Sequence, residues 1–282
     1  MFWVNGELRD SDSFSIATSD RGLLLGDGLF ETVKVADGRP VFLTEHLCRL
    51  QVAADEIALP IDRAALRQGV SALLGKAGPA ASGALRISVA RGPGPRGISP
   101  IPPVDQAPVS LITFAPSAPP SPQEGLDRLI LAPFIRSSFA PSARMKTLSY
   151  FDNLSAKAYA DDQKAADCIF ENELGQVSST TMANIFVADG EGFRTPPVSA
   201  GILPGIVREQ IIHQATREGI PVKVCQLRPT DLFGRILYRT NSLIGVRAGW
   251  FDGGRDHFMP EQTPDDRLMK LYRHAEAAAA AS

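Results

Sequence analysis

The stretch that most restricts this fold is PSAPPSPQEG, residues 116–125, with four prolines and two serines in ten positions. Proline has no amide hydrogen and a fixed φ, so such a run can neither join a helix nor sit in a central strand. It reads as an interdomain linker between a small N-terminal domain, 1–115, and a larger C-terminal domain, 126–282. Each part must then bury a core of its own. The chain has 282 residues, 44% of them hydrophobic, enough for two modest domains.

Strand and helix patterns mix in both halves, which predicts an α+β protein. FWVNGEL is a hairpin opening on Asn5-Gly6, and LFETVKVADGRPVFL is two strands joined at Asp37-Gly38. Thr44 is placed to cap a helix, EHLCRLQVAADEI, and IDRAALRQGVSALLGKAG is a second helix ending at Gly78-Pro79. GALRISVARG and PVSLITFAP are strands. Beyond the linker come strand LDRLILAPF, helix YFDNLSAKAYADDQKAA, strands DCIFEN and NIFVADG, helix GIVREQIIHQATREG, strand VKVCQL, a short helix from Thr230-Asp231 and strand RILYRTNS. A polar tail closes the chain, and its alanines 277–281 are expected to fray or be disordered. The cleft between two domains is the default ligand site.

Net charge is −2, so no nucleic-acid partner is expected, and no apolar run is long enough to span a bilayer. Three scattered cysteines and four scattered histidines fit neither a disulfide framework nor a metal site, and a cytoplasmic setting is expected.

Several stretches can carry chemistry. Lys146, in MKTLSY between a strand and a helix, is either a desolvated, nucleophilic amine or a surface lysine with a snorkelling stem. In GILPGIVR the Pro-Gly pair opens a helix whose first amides, those of Ile206 and Val207, suit a phosphate or simply form an entry turn. Arg49 and the run Thr240-Asn241-Ser242 could complete such a phosphate cup. ARGPGPRG is a stiff turn with two guanidiniums, Arg91 and Arg96, suited to a carboxylate or to a solvated hairpin tip. Finally, the four neutral hydroxyls Ser178 to Thr181 look like a turn before the strand at Asn184, yet hold no charge.

Gly26-Asp27-Gly28-Leu29-Phe30-Glu31, Glu45-His46-Leu47-Cys48-Arg49-Leu50, Lys146-Thr147-Leu148, Asn184-Ile185-Phe186, Thr195-Pro196 and Leu203-Pro204-Gly205-Ile206-Val207-Arg208 occur in order and at fitting spacings. Together they resemble the class IV, or fold type IV, pyridoxal-phosphate enzymes, a family of branched-chain and D-amino acid aminotransferases, (R)-amine transaminases and aminodeoxychorismate lyase. The resemblance spans residues 2–247. It implies two α/β domains with pyridoxal 5′-phosphate between them, and a homodimer.

The resemblance also implies residue roles. Lys146 would carry the cofactor as a Schiff base and shuttle the substrate proton. Arg49, the amides of Ile206 and Val207, Asn241 and Ser242 would hold the phosphate, Leu203 would pack on the ring, and Tyr150 would reach the ring hydroxyl. Phe30 and Arg96 fall at substrate positions, where the D-amino acid enzymes keep a tyrosine and an arginine; their histidine is Ile98 here. Counting back from Asn184, Ser179 occupies the position of the family's glutamate, which holds the protonated pyridine nitrogen. Serine cannot hold a cation by charge, so the ring is expected to stay largely unprotonated and transamination to be slow. The implied activity is amino transfer between a small amino acid or amine and a 2-oxo acid. The alternatives are aminodeoxychorismate lyase, favoured by the Asn241-Ser242-Leu243 run, and a weakly active cofactor-binding member.

Overall fold

Alternating apolar residues and tight glycine turns build the first of two units, Met1–Pro119 with Met145–Ser149. The second unit is Pro120–Arg144 with Tyr150–Ser282. The computed structural model describes residues 1–98, 107–118, 121, 123–254, 259–261 and 263–281. Pro119, Pro120 and Pro122 of the expected linker lie outside the described residues. The expected second domain is interrupted, since 145–149 group with the first unit.

In the first unit β1 (Phe2–Val4) and β2 (Glu7–Arg9) form the expected hairpin, with Asn5 and Gly6 both at positive φ. A short α1 (Arg21–Leu25) precedes β3 (Gly28–Ala36) and a two-residue β4 (Arg39–Pro40). Then come α2 (Leu43–Glu56), α3 (Arg63–Ala77), β5 (Gly83–Ala90) and β6 (Val109–Pro116). The strands make one antiparallel sheet in the order β2-β1-β6-β5-β3-β4. Leu29, Val33 and Val35 of β3 and Leu85, Ile87 and Val89 of β5 bury one face, against Leu47, Leu50, Leu66, Val70 and Leu73 of the two helices. A Cβ at Gly69 would stand 2.6 Å from the Trp3 ring, so this glycine lets α3 approach the sheet. Thr44 is no cap: α2 starts at Phe42 without a side-chain cap, and the Thr44 hydroxyl accepts instead from Arg67.

The second unit contains β7 (Asp127–Leu131), α4 (Phe151–Asp162), β8 (Asp167–Glu171), β9 (Val177–Thr180), β10 (Asn184–Asp189) and β11 (Gly192–Thr195). It continues with α5 (Ile206–Glu218), β12 (Val222–Val224), β13 (Leu237–Asn241), β14 (Gly245–Phe251) and α6 (Arg267–Ala281). The mixed sheet runs β12-β11-β10-β13-β14-β7-β8-β9. The pairs β7/β8, β7/β14 and β11/β12 are parallel.

Two expectations are corrected here. The hydroxyl run is not a turn, because Val177 to Thr180 are a buried strand, β9. The tail is not merely polar, because it holds β14 and a helix that continues through the alanines. Leu268, Leu271, Tyr272 and Ala275 of α6 are buried at helical spacing.

Candidate active site

In the first unit each residue of GDGLFE has a mechanical task. Gly26 closes α1 in the left-handed region, φ 65°. The Asp27 carboxylate accepts from Arg21 and Arg91, each at 2.9 Å. Gly28 begins β3 where a Cβ would stand 2.5 Å from the Val89 carbonyl and 2.6 Å from Leu148, so only glycine fits. That close approach lets the lysine segment lie along β3. The Phe30 amide donates to the Lys146 carbonyl at 2.8 Å, and the Leu148 amide donates to the Gly28 carbonyl at 2.9 Å. Lys146 is thus fixed at its backbone by a sheet edge, while its amine stands 4.1 Å from the centroid of the buried Phe30 ring.

Paired residues of neighbouring strands share a face, and Thr32 pairs with Arg86 while Phe30 pairs with Ser88. The Arg86 guanidinium accordingly reaches 3.8 Å from the Phe30 centroid. On the opposite, helix-covered face Glu31 is buried among apolar neighbours. His46 and Arg49, three apart on α2, both point at it. Glu31 takes Arg49 at 2.8 and 2.6 Å and His46 Nδ1 at 2.7 Å. Burial alone would raise the Glu31 carboxyl. The Arg49 charge and the bonds from His46 and Arg49 overcome it and hold the group at about 2. Burial lowers the His46 imidazole; the ring is therefore neutral at pH 7 and donates Nδ1–H to the carboxylate.

Burial also lowers the Lys146 amine to about 8, helped by the charges of Arg49 and Arg86 and opposed by Glu31. An amine in this range is partly unprotonated near neutral pH and nucleophilic, which favours the desolvated-amine alternative for Lys146. Three cations against one carboxylate also suit an anionic ligand. Arg96 is exposed, on the turn beyond β5.

In the second unit all four hydroxyls are buried and bonded. Ser178 donates to the Gly201 carbonyl at 2.8 Å and Thr181 to Asp167 at 2.6 Å. Thr180 accepts from the Ala183 amide at 3.1 Å. Ser179 donates to the Thr180 carbonyl at 3.1 Å and accepts from Arg136 at 3.2 Å. The Asn184 carboxamide donates to the Leu203 carbonyl at 3.0 Å, and a Cβ at Gly205 would overlap the Asn184 oxygen. That tie fixes the loop entering α5, which no side chain caps at Gly205, so the amides of Ile206 and Val207 open the helix. The Asn241 carboxamide organises the next turn, accepting from Leu243 and Ile244 and donating to the Met182 carbonyl. Beside it the Thr240 hydroxyl is buried with no hydrogen-bond partner among the described residues, which is the state expected of a group that bonds a ligand.

Glu31, His46, Arg86 and Arg136 are functional candidates to which sequence reasoning gave no role of their own, whereas Thr240 belongs to the run expected in a phosphate cup. Glu31 had a legible signal, a carboxylate at an inward position between Leu29 and Val33. Arg136 had none, since its neighbour Ser179 is 43 positions away.

The sequence pattern described as amino-transferase class IV matches residues 28–248. The chain is 30% identical over 223 residues to a D-alanine aminotransferase of Staphylococcus haemolyticus, covering 78% of this chain and 77% of that one. It is 29% identical over 257 residues to an aminodeoxychorismate lyase of Vibrio harveyi, covering 87% and 89%. A hypothetical aminotransferase from Mycobacterium tuberculosis in its PLP-bound form superposes with a TM-score of 0.84 at 26% identity, covering 99% of both chains. This chain belongs to the class IV aminotransferases, enzymes of fold type IV. Their cofactor is pyridoxal 5′-phosphate. Each unit taken by itself has residues that suit it: the first a lowered lysine amine in a cationic cluster, the second an uncapped helix N-terminus and a buried hydroxyl with no hydrogen-bond partner among the described residues.

Proposed function

We propose that the protein is a cytoplasmic, homodimeric aminotransferase that moves an amino group between a small amino acid or amine and a 2-oxo acid. The observation that carries this is the lowered amine of Lys146, pinned along β3 beside Arg49, Arg86 and Glu31. Lys146 is the covalent attachment point of the cofactor and the base that carries the substrate α-proton. When bound, pyridoxal phosphate supplies an electrophilic carbon and an electron-withdrawing ring. Arg49, oriented by Glu31, holds the phosphate together with the amides of Ile206 and Val207, Asn241 and Ser242, and the Thr240 hydroxyl joins them. Leu203 packs on the ring and Tyr150 serves its hydroxyl. Phe30 and Arg96 meet the substrate. Ser179 faces the pyridine nitrogen, without the charge to hold a proton there, which slows amino transfer.

The second reading is a lyase, supported by the Asn241-Ser242-Leu243 run and by similarity to the Vibrio lyase. Holoenzyme is mixed in turn with L-amino acids, D-amino acids, (R)-amines and aminodeoxychorismate. Conversion of the bound cofactor to its amine form by an amino donor, reversed by a 2-oxo acid, supports the aminotransferase. Release of pyruvate and 4-aminobenzoate with no amino acceptor, and no conversion by any donor, overturns it in favour of the lyase.

A further inference from the structure

Arg136 follows β7 and projects towards β9. One Nη donates to the Ser179 hydroxyl at 3.2 Å and the other to the Asn153 carboxamide oxygen at 3.0 Å. Its guanidinium lies 3.7 Å from the centroid of the fully buried Phe170 ring. These contacts hold the cation in one place, and among the described residues it makes no ion pair. The charged and titratable groups acting on it are Tyr150 and Asp152, at the start of α4. Glu171 meets it only through the backbone, its carbonyl accepting from the Arg136 amide. Glu173 turns its carboxylate to the amide and hydroxyl of Ser138. Burial lowers the guanidinium from its ordinary range, so the position is poorly solvated and its charge acts at short range.

A hydroxyl has one proton and two lone pairs. Arg136 occupies one lone pair of Ser179, and the single proton now rests on the Thr180 carbonyl. Facing a ring nitrogen, this hydroxyl can turn its proton outward as a donor while Arg136 keeps its oxygen in place. A donor pairs with an unprotonated nitrogen, and a fixed cation nearby disfavours a second positive charge.

We propose that Arg136 is a positioning residue that keeps the pyridine nitrogen of the bound cofactor unprotonated. It does so by holding the Ser179 hydroxyl as a donor and by placing beside it a guanidinium that makes no ion pair among the described residues. This rests on Ser179 facing that nitrogen, as proposed above. Arg136 is therefore a device for setting the electron demand of the ring, and the Ser179 substitution alone is only half of it.

The test uses holoenzyme reconstituted with pyridoxal phosphate labelled with ¹⁵N in the ring, and follows the nitrogen resonance with pH. Wild type is expected in the range of free pyridine at neutral pH. Arg136→Gln, which keeps a donor and removes the charge, is expected to raise the protonation constant roughly tenfold or more, the effect of removing a like charge at close range. Arg136→Met is a second neutral variant expected to move the same way, and Arg136→Lys should restore the wild-type titration. A pyridinium resonance in the wild type, or identical titrations in wild type and the neutral variants, overturns the proposal. Borohydride reduction and peptide mapping are run alongside. No cofactor mass on Lys146 overturns the cofactor assignment and this inference together, whereas label on Lys146 with unchanged titrations overturns this inference alone.

Discussion

Replacing Glu31 by glutamine tests whether the buried Glu31–Arg49–His46 cluster organises the first unit. The carboxyl is held at about 2 in the fold against an ordinary 4.5, a shift of about 2.5 pKa units. At about 1.4 kcal/mol per unit this corresponds to roughly 3 kcal/mol of stability. It agrees with the ~3–5 kcal/mol expected when one partner of a buried ion pair is removed. The sign follows from the depressed value. The contribution is complete above the unfolded pKa near 4.5 and disappears as pH falls towards 2. His46 is also lowered and loses stability in the same direction from about 6.5 downward, so the variant is compared with wild type at each pH from neutral to about 3. The chain has two tryptophans, and Trp3 is buried in the first unit. A Trp250→Phe background leaves Trp3 as the reporter of that unit in urea unfolding. Glu31→Gln should be less stable by about 3 kcal/mol near neutral pH, with the deficit shrinking by up to ~1.4 kcal/mol per pH unit on acidification. A deficit that stays constant down to about pH 3, or one under ~1 kcal/mol at neutral pH, would refute the electrostatic account.

Two further outcomes follow from the same geometry. Competitive labelling of the apoprotein should show the Lys146 amine titrating near 8. Because that native value lies below the ordinary 10.5, charging the amine opposes folding below about 8, so Lys146→Met should stabilise the apoprotein there. A labelling midpoint near 10, or a loss of stability, contradicts this. Thr240→Val removes a buried hydroxyl that has no partner among the described residues and should raise apoprotein stability by about 1 kcal/mol while weakening cofactor affinity severalfold. Unchanged affinity by equilibrium dialysis would remove Thr240 from the phosphate set.

Period-two alternation of apolar residues made β3 and β5 legible, and turn chemistry marked Asn5-Gly6 and Asp37-Gly38. β9 was not legible, because both its faces are buried and its hydroxyls are satisfied by distant groups such as the Gly201 carbonyl. α6 is legible in the helical spacing of Leu268, Leu271, Tyr272 and Ala275, although the alanine run that closes it resembles a fraying tail. Motif order marked Lys146, Arg49 and Ser179. The partners that decide how they behave, Glu31 for Arg49 and Arg136 for Ser179, are set by pairing and loop packing between residues remote in sequence.

The strip at 145–149 has a consequence for how such a protein can be built. The chain leaves the first unit at Pro119, returns to it for Met145–Ser149 and leaves again. Lys146 is therefore encoded inside one unit's stretch and held by the other's backbone. A gene fragment for residues 1–119 would yield a sheet whose β3 edge lacks its cover, an open edge of the kind that pairs with foreign strands. The two units are not interchangeable modules. Recombination that swaps either one whole would have to carry a few residues from inside the other, so a single crossover at the linker cannot exchange them cleanly.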